Sequence, residues 1–222
     1  MLNVAIDGYA GSGKSALAIG IAQRLGLKVL DTGAIYRAVG YAFDKTGKGE
    51  PDDEKLAEFT KDLEIGVAFE GDVQHVFING EDMTEFLRLE RTSMVASLIS
   101  QFACVRQKVT ELQRSFAANN DCVIEGRDIG TVVLPNAQVK FFIIARVEKR
   151  AERRYKELMD KPSCPSFEQI VKDLIIRDER DKTRKIAPLK QADDAIVIDN
   201  SDLTEEETLE KCLGLIKEKL QK

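Results

Sequence analysis

Short apolar runs alternate along the chain with longer amphipathic stretches. The runs Asn3–Asp7, Lys28–Asp31, Cys122–Glu125, Lys140–Ile144 and Ala195–Ile198 have the length of strands. Helical periodicity marks about 15–25, 34–46, 103–118, 147–159 and 166–182, with a last helix over 204–220. Nearly continuous apolar strands separated by helices predict a parallel sheet covered on both faces. The expected class is α/β, a three-layer fold with a central parallel five-stranded sheet flanked by helices. Gly26 suits the stop of the first helix. Ser201 or Asp202 is placed to cap the last helix, whose first turn carries Glu205, Glu206 and Glu207.

One segment breaks this rhythm. Ile65, Val67 and Phe69 alternate, Gly71-Asp72 turns the chain, and Val73–Ile78 runs into Asn79-Gly80, a hairpin signal. Glu81–Met83 can supply a third strand. These residues predict a small antiparallel insert, followed by one helix from about Thr84 to Gln101. The charged stretch Lys45–Asp53 leads towards it, and Lys161–Ser166, with Pro162 and Pro165, reads as a loop between two helices.

The first strand and first helix enclose Gly8-Tyr9-Ala10-Gly11-Ser12-Gly13-Lys14-Ser15, which satisfies G-x-x-x-x-G-K-[ST] at every defined position. In that context glycines let successive backbone N–H groups converge on a phosphate, and the helix N-terminus adds positive potential. Lys14 would bridge β- and γ-phosphates, and Ser15 would ligate Mg²⁺. A Gly-rich turn that merely caps a helix would not need the lysine.

Charge and composition narrow the classes. The 222 residues carry a net charge of −5, which argues against bulk nucleic-acid binding and requires local concentration of arginines if phosphates are handled. No run approaches the roughly 18 apolar residues of a membrane span, and the N-terminus lacks a basic leader region. Cys104, Cys122, Cys164 and Cys212 form no C-x-x-C pair and read as buried or incidental thiols of a reducing cytosol. His75 is the only histidine, so a His-based triad or zinc site is not expected.

Two further constellations lie where strands end, the usual rim of a ligand crevice in such sheets. In Asp31-Thr32-Gly33-Ala34-Ile35-Tyr36-Arg37, Thr32 can serve as a helix N-cap, whereas Arg37 on an otherwise apolar helix suits phosphate. In Glu125-Gly126-Arg127-Asp128-Ile129-Gly130-Thr131, Glu125 stands where a carboxylate can act on Mg²⁺ through water. Arg127 and Asp128 alone could form a surface ion pair. In Arg177–Arg184, the helical spacing puts Arg177, Asp181 and Arg184 on one face, with Arg180 beside them. A solvated helix with pairs such as Asp178 and Lys182 is the alternative. Arg150, Arg153 and Arg154 form another basic helix face, either solvated or functional.

Together these residues resemble bacterial cytidylate kinases, nucleoside monophosphate kinases of the P-loop class. The resemblance runs from the Gly8 loop through Asp31–Arg37 and Gly126-Arg127-Asp128-Ile129-Gly130-Thr131-Val132-Val133 to Arg177–Arg184 and Ile186-Ala187-Pro188-Leu189. The closing Ala195–Asp199 is similar to the family's last strand, and the three-stranded insert is a family trait. Thr32 stands where Ser is frequent and Glu125 where Asp is frequent, and each keeps the functional group.

The resemblance implies a single domain over 1–222, with a CMP-binding insert at about 62–100 and a short mobile lid at about 150–166. It implies ATP binding by Gly8, Tyr9, Ala10, Gly11, Ser12, Gly13, Lys14 and Ser15, with Ser15 on the metal. Thr32, Arg37, Arg127 and Arg184 match positions for the CMP phosphate or the transferring group; Ser97, Arg106 and Asp128 match readers of cytosine. Arg177 and Asp181 match positions around phosphate and pentose, and Lys14, Arg127, Arg177 and Arg184 would carry catalysis. The implied partners are ATP, CMP and dCMP, handled by a cytoplasmic monomer without nucleic acid or membrane. A P-loop kinase for another nucleotide or small metabolite, and a nucleotide-dependent switch, are the competing readings.

Overall fold

A computed structural model describes residues 1–71, 73–88, 90–160 and 164–221. The turn residue Asp72 and the loop residues Lys161, Pro162 and Ser163 of the expected lid lie outside that set.

The chain forms two compact units, one of Leu2–Leu27 with Val123–Lys222, the other of Lys28–Cys122 with Met1. In the first unit, β1 (Asn3–Gly8) has Val4, Ala5 and Ile6 fully buried and enters the phosphate loop. It pairs in parallel with β7 (Val139–Ile144), Val4 opposite Val139 and Gly8 opposite Ile143. β7 in turn pairs in parallel with β8 (Ile196–Asp199). Gly8 has φ +147°, and a Cβ there would lie 2.1 Å from the Ile143 carbonyl oxygen, so only glycine lets the strand turn into the loop at this point.

The five-stranded parallel sheet has the order β2-β6-β1-β7-β8, with β2 at Lys28–Asp31 and β6 at Cys122–Gly126. Because β1 has β6 on one side and β7 on the other, the chain winds away from it in both directions. The carboxyl end of β1 is therefore the switch point, where doubly wound sheets bind ligands.

Helices α1 (Lys14–Leu25) and α8 (Glu205–Leu220) pack on each other, as do α6 (Val147–Leu158) and α7 (Phe167–Thr183). Gly26 ends α1 in the left-handed conformation, φ 67°, as expected. The cap of α8 is Thr204 rather than Ser201 or Asp202. Its hydroxyl accepts from Glu207 N–H, and the Glu207 carboxylate accepts from Thr204 N–H, a reciprocal box. Ser201 is engaged by Asp199 instead, to which it donates at 2.6 Å.

The second unit carries α2 (Thr32–Lys45), α3 (Asp53–Lys61), α5 (Ala103–Asn119) and the small antiparallel sheet β3-β4-β5, at Ile65–Glu70, Val73–Ile78 and Glu81–Asp82. Asn79 and Gly80 both adopt positive φ in the hairpin turn. The helix α3 was not anticipated. Asp52 caps it by accepting from Lys55 N–H, and only Leu56 and Thr60 are buried, so the apolar signal was too thin to count. The single helix expected over 84–101 is two pieces, a 3₁₀ turn at Thr84–Arg88 and α4 at Glu90–Ile99. Within this unit α2 packs against α4, and α3 against α5.

Candidate active site

The expected site residues fall into two groups, one in each unit. In the first unit the loop between β1 and α1 wraps the Lys14 ammonium. Lys14 Nζ donates to the Tyr9 carbonyl at 2.6 Å and to Ser12 Oγ at 3.3 Å, and the residue is 5% exposed. Burial first, then the neighbouring Arg127 and Arg177 cations, pull its pKa down to about 7, against the opposing pull of Glu125 and Asp7. Ser15, at the first turn of α1, donates its hydroxyl to the buried carboxylate of Glu125 at the end of β6. A hydroxyl and a carboxylate, hard oxygens in contact, form a donor set that suits Mg²⁺.

The block after β6 closes into a π-helical turn, Ile129–Val133. Asp7, the penultimate residue of β1, accepts from the N–H groups of Ile129 at 2.8 Å and Gly130 at 2.7 Å. That contact ties the turn to the strand that feeds the phosphate loop. Burial pushes the Asp7 carboxyl up to about 6 in spite of these two hydrogen bonds.

The turn aims Arg127 and Asp128 in different directions, and they do not pair with each other. Arg127 Nε donates to Asp181 Oδ2 at 2.8 Å, and Arg184 donates to Asp128 Oδ1 at 3.2 Å. All four belong to largely buried pairs, with side-chain exposures of 18% and 7% for the first and 3% and 7% for the second. Arg184 lies just past the end of α7, not on its face, and its extended backbone turns the guanidinium towards Asp128. Arg177 acts electrostatically on both Lys14 and Asp181. Asp178 does not pair with Lys182. It is buried, takes Arg150 at 2.7 Å and accepts from Ala10 N–H at 3.4 Å.

In the second unit the cap of α2 is Asp31, which accepts from Ala34 N–H at 2.9 Å, while buried Thr32 is the first helical residue. Arg37 donates to the other Asp31 oxygen at 2.8 Å; its buried Nε has no hydrogen-bond partner among the described residues. Gln74 of β4 fixes the Asp31 peptide from both sides, accepting from its N–H and donating to its carbonyl. Arg106 is buried at the start of α5. It donates to the Ser100 carbonyl at 3.2 Å, with its guanidinium 5.9 Å from the Tyr36 ring centroid. Ser97 is buried one turn earlier, and its carbonyl accepts from Ser100 Oγ. Among the expected acceptor residues of this unit, Thr32 and Arg37 thus share one corner, and Ser97 and Arg106 another.

A model of the cytidylate kinase family matches residues 4–218. The chain belongs to that family. A cytidylate kinase of Halalkalibacterium halodurans is 42% identical over 219 residues, covering 99% of each chain. One from Citrifermentans bemidjiense is 44% identical, covering 98% of this chain and 93% of its own. Among solved structures, shikimate kinase from Bacteroides thetaiotaomicron superposes with a TM-score of 0.50 at 11% identity, over 97% of this chain and 98% of that one, which speaks to the fold alone.

Within this cytidylate kinase framework, several engaged residues had no sequence signal of their own. Asn200 follows β8 with no motif around it, yet it reaches the Ser12 carbonyl. In the sequence Arg150 and Arg153 read only as a basic face of α6. Both point at the phosphate loop, Arg150 donating to the Ala10 carbonyl at 2.9 Å. Arg154, the third of that face, is on the surface with Glu157. Asp7 was readable in principle, as an acid directly after the apolar run Val4–Ile6.

Proposed function

We propose that this member of the cytidylate kinase family transfers the γ-phosphate of ATP to CMP or dCMP, giving ADP and CDP or dCDP. The observation that carries the reading is the buried Lys14 ammonium, enclosed by the glycine loop and acted on by Arg127 and Arg177. A lysine ammonium enclosed by a glycine loop, with two guanidinium groups acting on it, favours a polyanionic ligand.

Lys14 and the N–H groups of the loop hold the donor's phosphates, and an oxygen of the CMP phosphate attacks in line. That phosphate is already ionised near neutral pH, so no dedicated base is required. Arg127, Arg177 and Arg184 neutralise charge on the migrating group. Thr32 and Arg37 receive the acceptor's phosphate, supported by the buried unsatisfied Nε of Arg37. Ser97, Arg106 and Asp128 read the base, and Asp181 the pentose. The pairs Arg127–Asp181 and Arg184–Asp128 keep these buried charges compensated before substrate arrives.

Ser15 would hold Mg²⁺ directly and Glu125 through water; bound with ATP, the ion would offset negative charge on the phosphates. The donor's base is received in a cavity of about 370 Å³ beside the loop, lined among others by Gly13, Ile19, Gln23, Arg153, Asn200 and Leu203. The protein acts as a cytoplasmic monomer in this reading. No helix among the described residues is long and apolar enough to cross a membrane.

Equilibrium binding tests the reading against a nucleotide switch. CMP binds the ATP-free protein if an acceptor site exists, and chelation of Mg²⁺ abolishes CMP-dependent ADP release while sparing CMP binding. Absence of CMP binding would remove the acceptor site and with it the reading.

A further inference from the structure

The peptide between Ser12 and Gly13 is held from behind. Ser12 is fully buried, and its carbonyl lies one residue before the hydrogen-bond ladder of α1, which begins with Leu17 N–H donating to Gly13 O at 3.1 Å. A buried carbonyl in that place must find a partner elsewhere. Asn200 Nδ2 donates to it at 2.9 Å and Arg153 NH1 at 3.4 Å. Arg153 also donates to Asn200 Oδ1 at 3.2 Å and to the Asn200 carbonyl at 2.7 Å. Because Arg153 offers only donors, it fixes the amide oxygen of Asn200 on its own side, which leaves the NH₂ for Ser12.

In a planar trans peptide the C=O and the following N–H point in opposite directions. We propose that Asn200 and Arg153 are positioning residues: by holding the Ser12 carbonyl outward, they aim the Gly13 N–H into the phosphate cradle and so set affinity for the donor's phosphates. Gly13 itself has φ +83°, and a Cβ on it would lie 3.6 Å from Asn200 Nδ2, so the clamp sits against the residue it orients. The same logic recurs two residues earlier, where Arg150 takes the Ala10 carbonyl and Asp178 the Ala10 N–H. Arginines of α6 that a sequence would offer to phosphate are turned onto the back of the loop instead.

The proposal rests on the reading of the loop as the ATP site, and Asn200 also borders the cavity assigned to the base. A base-free probe separates the two roles. In Asn200→Ala, the KM for ATP and the Kd of inorganic tripolyphosphate should both rise by about tenfold, the worth of one well-placed hydrogen bond, while the KM for CMP stays within about twofold. Weaker ATP with unchanged tripolyphosphate would mean that Asn200 touches the base or ribose, and the proposal would fall. A lowered melting temperature with both affinities unchanged would also overturn it. If Asn200→Ala does not fold, Arg153→Lys keeps the cation and removes the fork. It should still weaken tripolyphosphate, and unchanged affinity in that variant contradicts the proposal. Tripolyphosphate binding does not involve CMP, so a wild type that bound it normally yet transferred nothing to CMP would sink the functional reading and leave this one standing.

Discussion

In the proposed reading Lys14 is the residue on which phosphoryl transfer turns, and its surroundings say what its loss should do. It is buried, it lies among cations, and among the described residues its hydrogen bonds go to the loop itself, at Tyr9 and Ser12. Lys14→Ala should therefore lower kcat by about 10²–10³-fold or more while changing CMP affinity little, because the group it serves is the one being transferred. Steady-state kinetics with both substrates varied checks this, and a near-normal kcat with only a raised KM would mean that the loop is misassigned. Arg106 makes a different kind of prediction. Cytosine offers a 4-amino donor and an N3 acceptor, and uracil the reverse, while Arg106 donates only and ionised Asp128 accepts only. Each unsatisfied buried group costs about 1–3 kcal/mol. Arg106→Met should thus lose CMP activity and narrow the CMP/UMP ratio of kcat/KM. An equal proportional loss on both would make Arg106 a phosphate or structural residue. At this scale the place of the glycine loop between β1 and α1 was legible, since its glycines, lysine and serine stand at fixed spacing after an apolar strand. The holders of the loop were not. Asn200 acts on the Ser12 carbonyl from far away in sequence, and such a contact leaves no local pattern.

Elements decide how these residues are kept in place. The last turns of α7 and the turn after β6 are joined by Arg127–Asp181 and Arg184–Asp128. Burial pushes the Asp181 carboxyl up, but the nearby Arg127, Arg177 and Arg184 cations and the Arg127 hydrogen bond outweigh it. The group therefore titrates below its usual 3.8. The unfolded chain takes up that proton at higher pH than the native one. Asp181 thus stabilises the fold above its unfolded pKa and loses that contribution as pH falls through its folded value. The difference in melting temperature between wild type and Asp181→Asn should be constant above about pH 5 and shrink on acidification below it. A difference that does not change with pH would leave the ion pair without a role in stability. For α8, Thr204→Ala should cost about 1 kcal/mol by opening the capping box, read as a lower urea midpoint with unchanged slope. Strands and long helices could be placed from apolar periodicity, because each buries a whole face. The helix α3 buries only two residues, and no glycine or proline in the sequence marks the change from the 3₁₀ turn Thr84–Arg88 to α4, so neither was visible in the pattern.

The whole chain carries a net charge of −5, yet its phosphate loop is surrounded by arginines, and its sheet places that loop at the switch point of the strand order. In the proposed reading the first unit carries the glycine loop, Arg127, Arg177 and Arg184 together with Asp128 and Asp181, and the second carries Thr32, Arg37, Ser97 and Arg106. Fold and family follow from features spread over the whole length, which is why they were readable early. The identity of the acceptor depends on a few side chains, and it is best settled by substrates. The most direct measurement is a coupled ADP-release assay with MgATP and CMP, dCMP, UMP or AMP. The account predicts turnover with CMP and dCMP, and kcat/KM for CMP above that for UMP by about 10²–10⁴-fold, as two reversed hydrogen-bond partners require. Equal turnover of CMP and UMP, or a preference for AMP, would contradict it.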